Sequence, residues 1–335
     1  MLPPVAVAPF RWQDGERLVR FGRGTRAEAP DLVGDGYALL TTERALAAAP
    51  ELAERAASVH HVPPGVVDEL SARLRPEVSA ELLVALGGGR VIDVAKALAA
   101  ADPPRRVAAI PTTLSAAEMT GVHRHAAGVA PETPRVRPSV VLDDPALSAS
   151  QPPADLAASA ANALGHAVEA PLTTLASPVP TLAAHAGARL LWEGLADEDV
   201  SDQDRDRLAL GALLGGYAID AAGYGLHHVL SQTAVRVAGI GHGPANAILL
   251  PHSLPALSRR RPAGVEALAV ALDADPVSVA AALARRTGVV RLRDAGVPAE
   301  RLAECADAAA QRFELALTPP AAERDELLAI YQAAW

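Results

Sequence analysis

The sequence predicts an α/β N-terminal domain built on a parallel sheet, followed by an all-helical C-terminal domain. Three observations carry this reading. Short β-rich runs alternate with helical stretches in the first half, a glycine triplet separates a buried strand from a helix, and strand-like alternation disappears beyond Pro152.

In chain order, Tyr37–Leu40 reads as a strand, Glu43–Ser58 as an amphipathic helix and Pro64–Leu74 as a second helix. Leu82–Leu86 is a fully buried strand, Asp93–Ala101 a helix, and Val107–Ile110 and Ser139–Leu142 two further strands. Asp143-Asp144-Pro145 then breaks the chain. Beyond it, helical periodicity runs through Asp155–Glu169, Thr181–Leu195 and Arg205–Ala222. The acidic segment Ala196–Asp206 reads as a solvated loop between helices, and Leu254–Pro262 as a basic loop. The expected domains are residues 1–151 and 152–335, with no internal repeat.

A chain of 335 residues buries a sizeable core without staples. Half its residues are hydrophobic but only 3% aromatic, the apolar content lying in Ala, Leu and Val, which suits closely packed helices and short strands. Lys and Arg number 30 against 39 Asp and Glu, a formal net charge of −9, and the arginines are scattered among acids; nucleic acid is not an expected partner. The single Cys305 lies in a helical stretch and reads as a buried thiol. Neither a leader pattern nor an apolar run of membrane-spanning length is evident, so a cytoplasmic location and no membrane partner are expected.

Leu82-Leu83-Val84-Ala85-Leu86 runs into Gly87-Gly88-Gly89, and Arg90 to Lys96 opens a helix. Glycines let a diphosphate approach the backbone, and the N–H groups and dipole of the following helix favour an anion. A bare triplet also serves a tight turn with no ligand. Thr112 and Thr113 tip the balance, because they end a neighbouring parallel strand, where open α/β sheets bind ligands. Thr41 and Thr42 end an earlier strand with hydroxyls rather than an acid, so NAD(H) and NADP(H) both remain open.

Asn162 and His166 share a helix face at i, i+4, and His228 and His242 lie in separate helical segments. Imidazoles converging from separate helices suit a divalent metal, although any one alone is more often a packed side chain. His123, His125 and Tyr224 read equally well as site-facing groups or as a polar loop.

The run Gly87-Gly88-Gly89-xxx-Asp93-xx-Lys96 followed by Pro111-Thr112-Thr113 resembles the iron-containing alcohol dehydrogenase superfamily, whose dehydroquinate synthase-like fold joins a Rossmann-like domain to a helical metal domain. Pro111-Thr112-Thr113-xxxx-Glu118-Met119-Thr120, Phe21-Gly22-x-Gly24 and Arg135-Val136-x-Pro138-x-Val140-Val141-x-Asp143 look specifically like maleylacetate reductases. The resemblance implies a nicotinamide cofactor on the glycine turn, Asp93 at its nicotinamide end, Lys96 in support, and a homodimer. Arg90 departs from it, since the family usually carries Ser there.

Metal-dependent relatives use one Asp and three His, and the matching positions here are Asn162, His166, His228 and His242. Maleylacetate reductases resemble this chain in carrying Asn. The lost carboxylate removes the anionic ligand, so Fe or Zn is expected to be absent or weakly held. Gln232 stands where relatives have a relay His and cannot carry a proton at neutral pH. A metal-free site would then rely on His228 first, with His242, His166 and His227 nearby and Gln232 and Asn162 as neutral donors.

The expected function is an NAD(P)-dependent oxidoreductase moving hydride between nicotinamide and a carbonyl or secondary alcohol of a small molecule, such as an oxo acid. The departures at Arg90, Gln232 and Gly243 point to a substrate other than maleylacetate. Two alternatives stay open: oxidation of a hydroxyl on a specialised metabolite or peptide, with loss of carbon dioxide from the keto product, and a catalytically idle partner subunit.

Overall fold

The computed structural model describes residues 7–335. Two compact units form. One holds the sheet, runs to Gln151 and takes in Ser201–Leu210; the other comprises Pro152–Val200 and Gly211–Trp335.

The sheet contains β1 (Phe10–Asp14), β2 (Arg17–Phe21), β3 (Ala38–Thr41), β4 (Ser58–His61), β5 (Leu82–Gly87), β6 (Arg106–Pro111) and β7 (Val140–Asp143), in the order β1-β2-β7-β6-β5-β3-β4. Only the β1–β2 pair is antiparallel. The pleat sends successive side chains of β5 to opposite faces. Leu83 and Ala85 pack with Leu40, Leu70, Leu98 and Val107, whereas Val84 and Leu86 pack with Tyr37, Leu39, Ile110 and Leu142. Apolar cover on both faces explains why β5 reads as an unbroken hydrophobic run.

The expected strands are all present, each displaced by a residue or less at its ends. Two differences are instructive. The β1–β2 hairpin was not anticipated, although Asp14-Gly15 marks it: Asp14 pairs with Arg17, and Gly15 adopts φ +58°, which its missing Cβ permits. The expected helix Glu43–Ser58 stops at Ala48, passes through a short turn at Pro50–Ala53 and gives way to β4. Pro50 has no N–H to donate and bars helical geometry at the residue before it; Ala49 accordingly sits at φ −149°.

The helical unit includes Pro153–Glu169, Pro178–Glu193, Leu226–Thr233, His242–Arg260, Pro262–Leu272, Pro276–Arg286, Arg301–Ala310 and Arg324–Ala333. Small residues let its helices approach closely: a Cβ on Gly187 would lie 2.9 Å from the Gly211 carbonyl oxygen. Cys305 is buried, and burial pushes its thiol up to about 11, which leaves it inert.

The expected loop Ala196–Asp206 holds over residues 196–201 and is corrected beyond them, and the expected loop Leu254–Pro262 is corrected. Asp202–Asp206 is helical: Ser201 Oγ accepts from the Asp204 N–H while the Asp204 carboxylate accepts from the Ser201 N–H, a reciprocal cap. Arg23 pairs there with Asp202 and Asp206, and these tertiary ion pairs are invisible locally. The basic stretch from Leu254 is the end of helix His242–Arg260, with Leu254 and Leu257 buried and Arg260 paired to Glu326 at 2.5 Å. Among the described residues no single helix is long and apolar enough to cross a membrane.

Candidate functional site

In the sheet unit, β5 ends at Gly87, and Gly88 precedes helix Gly89–Ala101 without a side-chain cap. The first-turn N–H groups are therefore not taken by a capping side chain. None of the three glycines has a positive φ. Their role is space: a Cβ on Gly88 would lie 2.9 Å from Thr113 Cγ2, and one on Gly89 would lie 3.0 Å from Ser115 Cβ. The Thr112 N–H donates to the Gly87 carbonyl at 3.0 Å, which locks the two turns together. The hydroxyls of Thr112 and Thr113 are buried with no partner. Buried hydroxyls without partners beside a glycine turn fit a phosphate-bearing cofactor that completes their hydrogen bonds.

Lys96 is fully buried, pairs with Asp93 at 2.8 Å and donates to the Ala117 and Val122 carbonyls at 3.0 and 2.9 Å. It thus fastens the loop after β6, as Arg17 does through the Met119 carbonyl at 2.6 Å. Thr41 and Thr42, expected at the cofactor, are engaged locally: Thr41 donates to the Thr42 carbonyl, and the Thr42 hydroxyl caps helix Glu43–Ala48. His123 donates from Nδ1 to the Arg124 carbonyl and accepts the Val136 N–H at Nε2, so its ring holds a loop.

Within that loop Glu118 is buried, and burial pushes its carboxyl up to about 7. The folded chain then binds a proton that the unfolded chain releases above the ordinary 4.5. Glu118 therefore stabilises the fold fully below pH 4.5 and loses that contribution as pH rises through 7. Relative to wild type, Glu118→Gln is expected to become progressively more stable between those limits, by on the order of 3 kcal/mol. Urea unfolding of both proteins from pH 4.5 to 8.5 measures this, and parallel curves would refute a protonated Glu118.

In the helical unit, Asn162, His166, His227 and His228 are buried and His242 is exposed. Gly165 makes room for the pair, since a Cβ there would lie 2.8 Å from His227 Nε2. Glu169, on the same helix, is fully buried: Oε1 accepts the His227 N–H at 2.7 Å, and Oε2 accepts the His228 N–H at 3.1 Å and lies 2.8 Å from His228 Nδ1. Burial pushes the Glu169 carboxyl up, and the N–H groups aimed at it pull it back. With both oxygens accepting, the imidazole proton sits on Nδ1, leaving a lone pair on a buried, unpartnered Nε2. Burial holds His228 down to about 3, with the neighbouring His242 adding to the shift.

Gln232 accepts from Arg312 Nη2 at 3.1 Å, and that guanidinium also donates to Tyr224 at 3.1 Å and to Glu314 at 2.6 Å. Tyr224 in turn lies 5.8 Å from the His228 ring. Gln232 is thus clamped by a permanent cation next to the imidazoles.

Asn162, His166, His228 and His242, the positions at which the resemblance implies metal ligands, do not form a cage in this arrangement. His242 Nε2 donates to Asn162 Oδ1 at 3.1 Å, and the His166 and His228 rings stack at 4.8 Å and 15°. Among the described residues no group of three or more His, Cys, Asp or Glu side chains is placed to hold a metal ion. The donor set as placed does not fit a divalent cation.

Glu169 was the residue most legible and not selected from sequence: it stands three residues after His166, on the same helix face. Arg312 gave no such signal, lying far along the chain from Gln232.

The pattern of the Fe-containing alcohol dehydrogenase family, C-terminal part, matches residues 156–335. Maleylacetate reductase 2 of Cupriavidus pinatubonensis is 37% identical over 223 residues, a match spanning 65% of this chain and 62% of that protein's length. A maleylacetate reductase of Pseudomonas aeruginosa is 31% identical over 284 residues, covering 82% of this chain and 79% of the relative. The crystal structure of an iron-containing alcohol dehydrogenase from Corynebacterium glutamicum superposes with a TM-score of 0.83 at 27% identity, covering 98% of this chain and 97% of that one. With the family pattern, the sequence relatives and the fold in agreement, the chain belongs to the Fe-containing alcohol dehydrogenase family, a family of oxidoreductases.

Proposed function

We propose that this oxidoreductase uses NAD(H) or NADP(H) to interconvert a carbonyl and a secondary alcohol on a small molecule, and does so without a divalent metal. The observation that carries this reading is the His228–Glu169 pair, in which a buried imidazole is held in one tautomer with Nε2 free. Bound on the glycine turn, the cofactor supplies the hydride chemistry.

The remaining work falls to the chain's own residues. Gly88 and Gly89 keep the turn open, Thr112 and Thr113 supply hydroxyls, and Asp93, held by its ion pair with Lys96, stands one turn into the helix for the nicotinamide end. His228 exchanges a proton with the substrate oxygen at Nε2: it donates when a carbonyl is reduced and accepts when an alcohol is oxidised. Glu169 stabilises the imidazolium in either direction and fixes which nitrogen reacts. Tyr224 and Gln232, tied to Arg312, provide neutral polar groups beside the ring and no second titrating relay. In the resting protein the neutral ring is the proton-accepting form, which suits the alcohol-oxidising direction.

The test is a fluorescence titration of metal-stripped protein with NADH and NADPH, accompanied by turnover before and after Zn²⁺ or Fe²⁺ is restored. Micromolar binding and unchanged metal-free turnover are expected. Absence of binding to either cofactor by folded protein would overturn the reading and favour an idle partner subunit, whereas turnover that requires added metal would overturn its metal-free part.

A further inference from the structure

Helix Gly89–Ala101 carries a cation where helix electrostatics disfavours one. Arg90 is its second residue, and the first turn has neither an acid nor a side-chain cap. A positive charge there faces the positive end of the helix dipole. Arg90 is exposed and makes no ion pair or hydrogen bond with any described residue. The two threonine hydroxyls beside this turn lack a counterpart as well. Thr112 is 1% exposed and its hydroxyl is buried without a partner; the equally unpartnered Thr113 Oγ1 lies 3.2 Å from where a Gly88 side chain would begin. A local rule broken with no compensation inside the chain points to a compensating group from outside it. That group must be anionic, able to accept several hydrogen bonds, and narrow enough to lie on bare glycine backbone.

We infer that Arg90 is a cofactor-binding residue that holds the diphosphate of the nicotinamide cofactor. The inference rests on the cofactor reading above and assigns a charged contact to the position where the resembled family usually carries Ser. Diphosphate is favoured over a ribose 2′-phosphate because Arg90 directly follows Gly89, in the uncapped first turn of the helix, where the positive dipole end favours an anion. The guanidinium supplies forked donors to phosphate oxygens, which a serine hydroxyl or a lysine ammonium does not. It also makes cofactor affinity dependent on salt in a way that neutral donors alone do not.

The test is direct titration of wild type, Arg90→Ser and Arg90→Lys with NADH, NADPH, ADP and adenosine at low and high salt. Arg90→Ser is expected to bind NADH, NADPH and ADP about ten- to a hundredfold more weakly, to leave adenosine unaffected and to flatten the salt dependence. Arg90→Lys should fall between the two. Without cofactor, the melting temperature of Arg90→Ser should equal or exceed that of wild type, because a cation leaves the helix start; this keeps a binding loss from being read as unfolding. An unchanged NADH affinity in Arg90→Ser would overturn the inference, and a loss confined to NADPH would overturn it in favour of the 2′-phosphate. Wild type that binds neither dinucleotide would overturn the cofactor reading itself.

Discussion

Glu169→Gln is expected to fold and to turn over roughly a hundred- to ten-thousandfold more slowly, with cofactor affinity nearly unchanged. The physical reason lies in proton placement. The wild-type carboxylate accepts from two backbone N–H groups and from His228 Nδ1, which puts the ring proton on Nδ1. An amide has one accepting oxygen, and its NH2 must donate. The less costly arrangement keeps the amide oxygen on the His227 N–H at 2.7 Å and puts the NH2 at the Oε2 position, where it opposes only the longer 3.1 Å His228 N–H and donates to Nδ1. The His228 proton then moves to Nε2, and the lone pair that exchanges with substrate is lost. Nitrogen NMR of labelled imidazoles reports the tautomer, and steady-state kinetics reports the rate. A Gln variant that keeps the wild-type tautomer and rate would eliminate Glu169 as the positioning residue. Glu169→Ala is expected to cost about 3–5 kcal/mol in stability, because it leaves buried donors with no acceptor.

Gly88→Val is expected to weaken cofactor binding by about a hundredfold or more while the protein remains folded. A Cβ at this position lies 2.9 Å from Thr113 Cγ2 and 3.2 Å from Thr113 Oγ1, so even alanine presses on the loop, and the branched side chain fills the space over the turn. Two effects combine. The threonine hydroxyl moves away from the turn, and the backbone N–H groups are covered by apolar atoms, so an anion must lose its solvation without reaching its donors. Equilibrium titration with NADH and NADPH, with the melting temperature of the unliganded variant as control, measures the effect. Affinity within a few-fold of wild type would show that the glycine turn is a packing device and not a phosphate cradle. The Arg90→Ser titration separates the two roles of this turn, because it removes charge and leaves the space intact.

Much of this protein was legible in its sequence, and the reason is local. β5, β6 and β7 are buried on both faces, so each reads as a compact apolar run wherever it is found. The change to helical periodicity after Pro152 likewise needs no knowledge of what packs against what. The glycine triplet and Pro111-Thr112-Thr113 carry their meaning in the chain because strand, turn and helix are consecutive there. Asn162, His166 and Glu169 stand on one helix, so their shared face follows from the helical repeat alone.

Only the tertiary structure decided the rest, because the deciding contacts join residues remote in sequence. Pairing of β2 with β7, which turns the first hairpin into part of the main sheet, is a long-range event. The helix beginning at Asp202 is held by Arg23, about which no local window is informative. The tautomer of His228 is set by Glu169, and the clamp on Gln232 by Arg312, in each case by a hydrogen bond between distant segments. Residue identity told which atoms could bind, relay or accept. Which lone pairs were already taken, which hydroxyls were left without partners and which imidazoles stacked instead of converging depended on three-dimensional packing, since an unsatisfied polar atom is a property of its neighbours and not of its position in the chain.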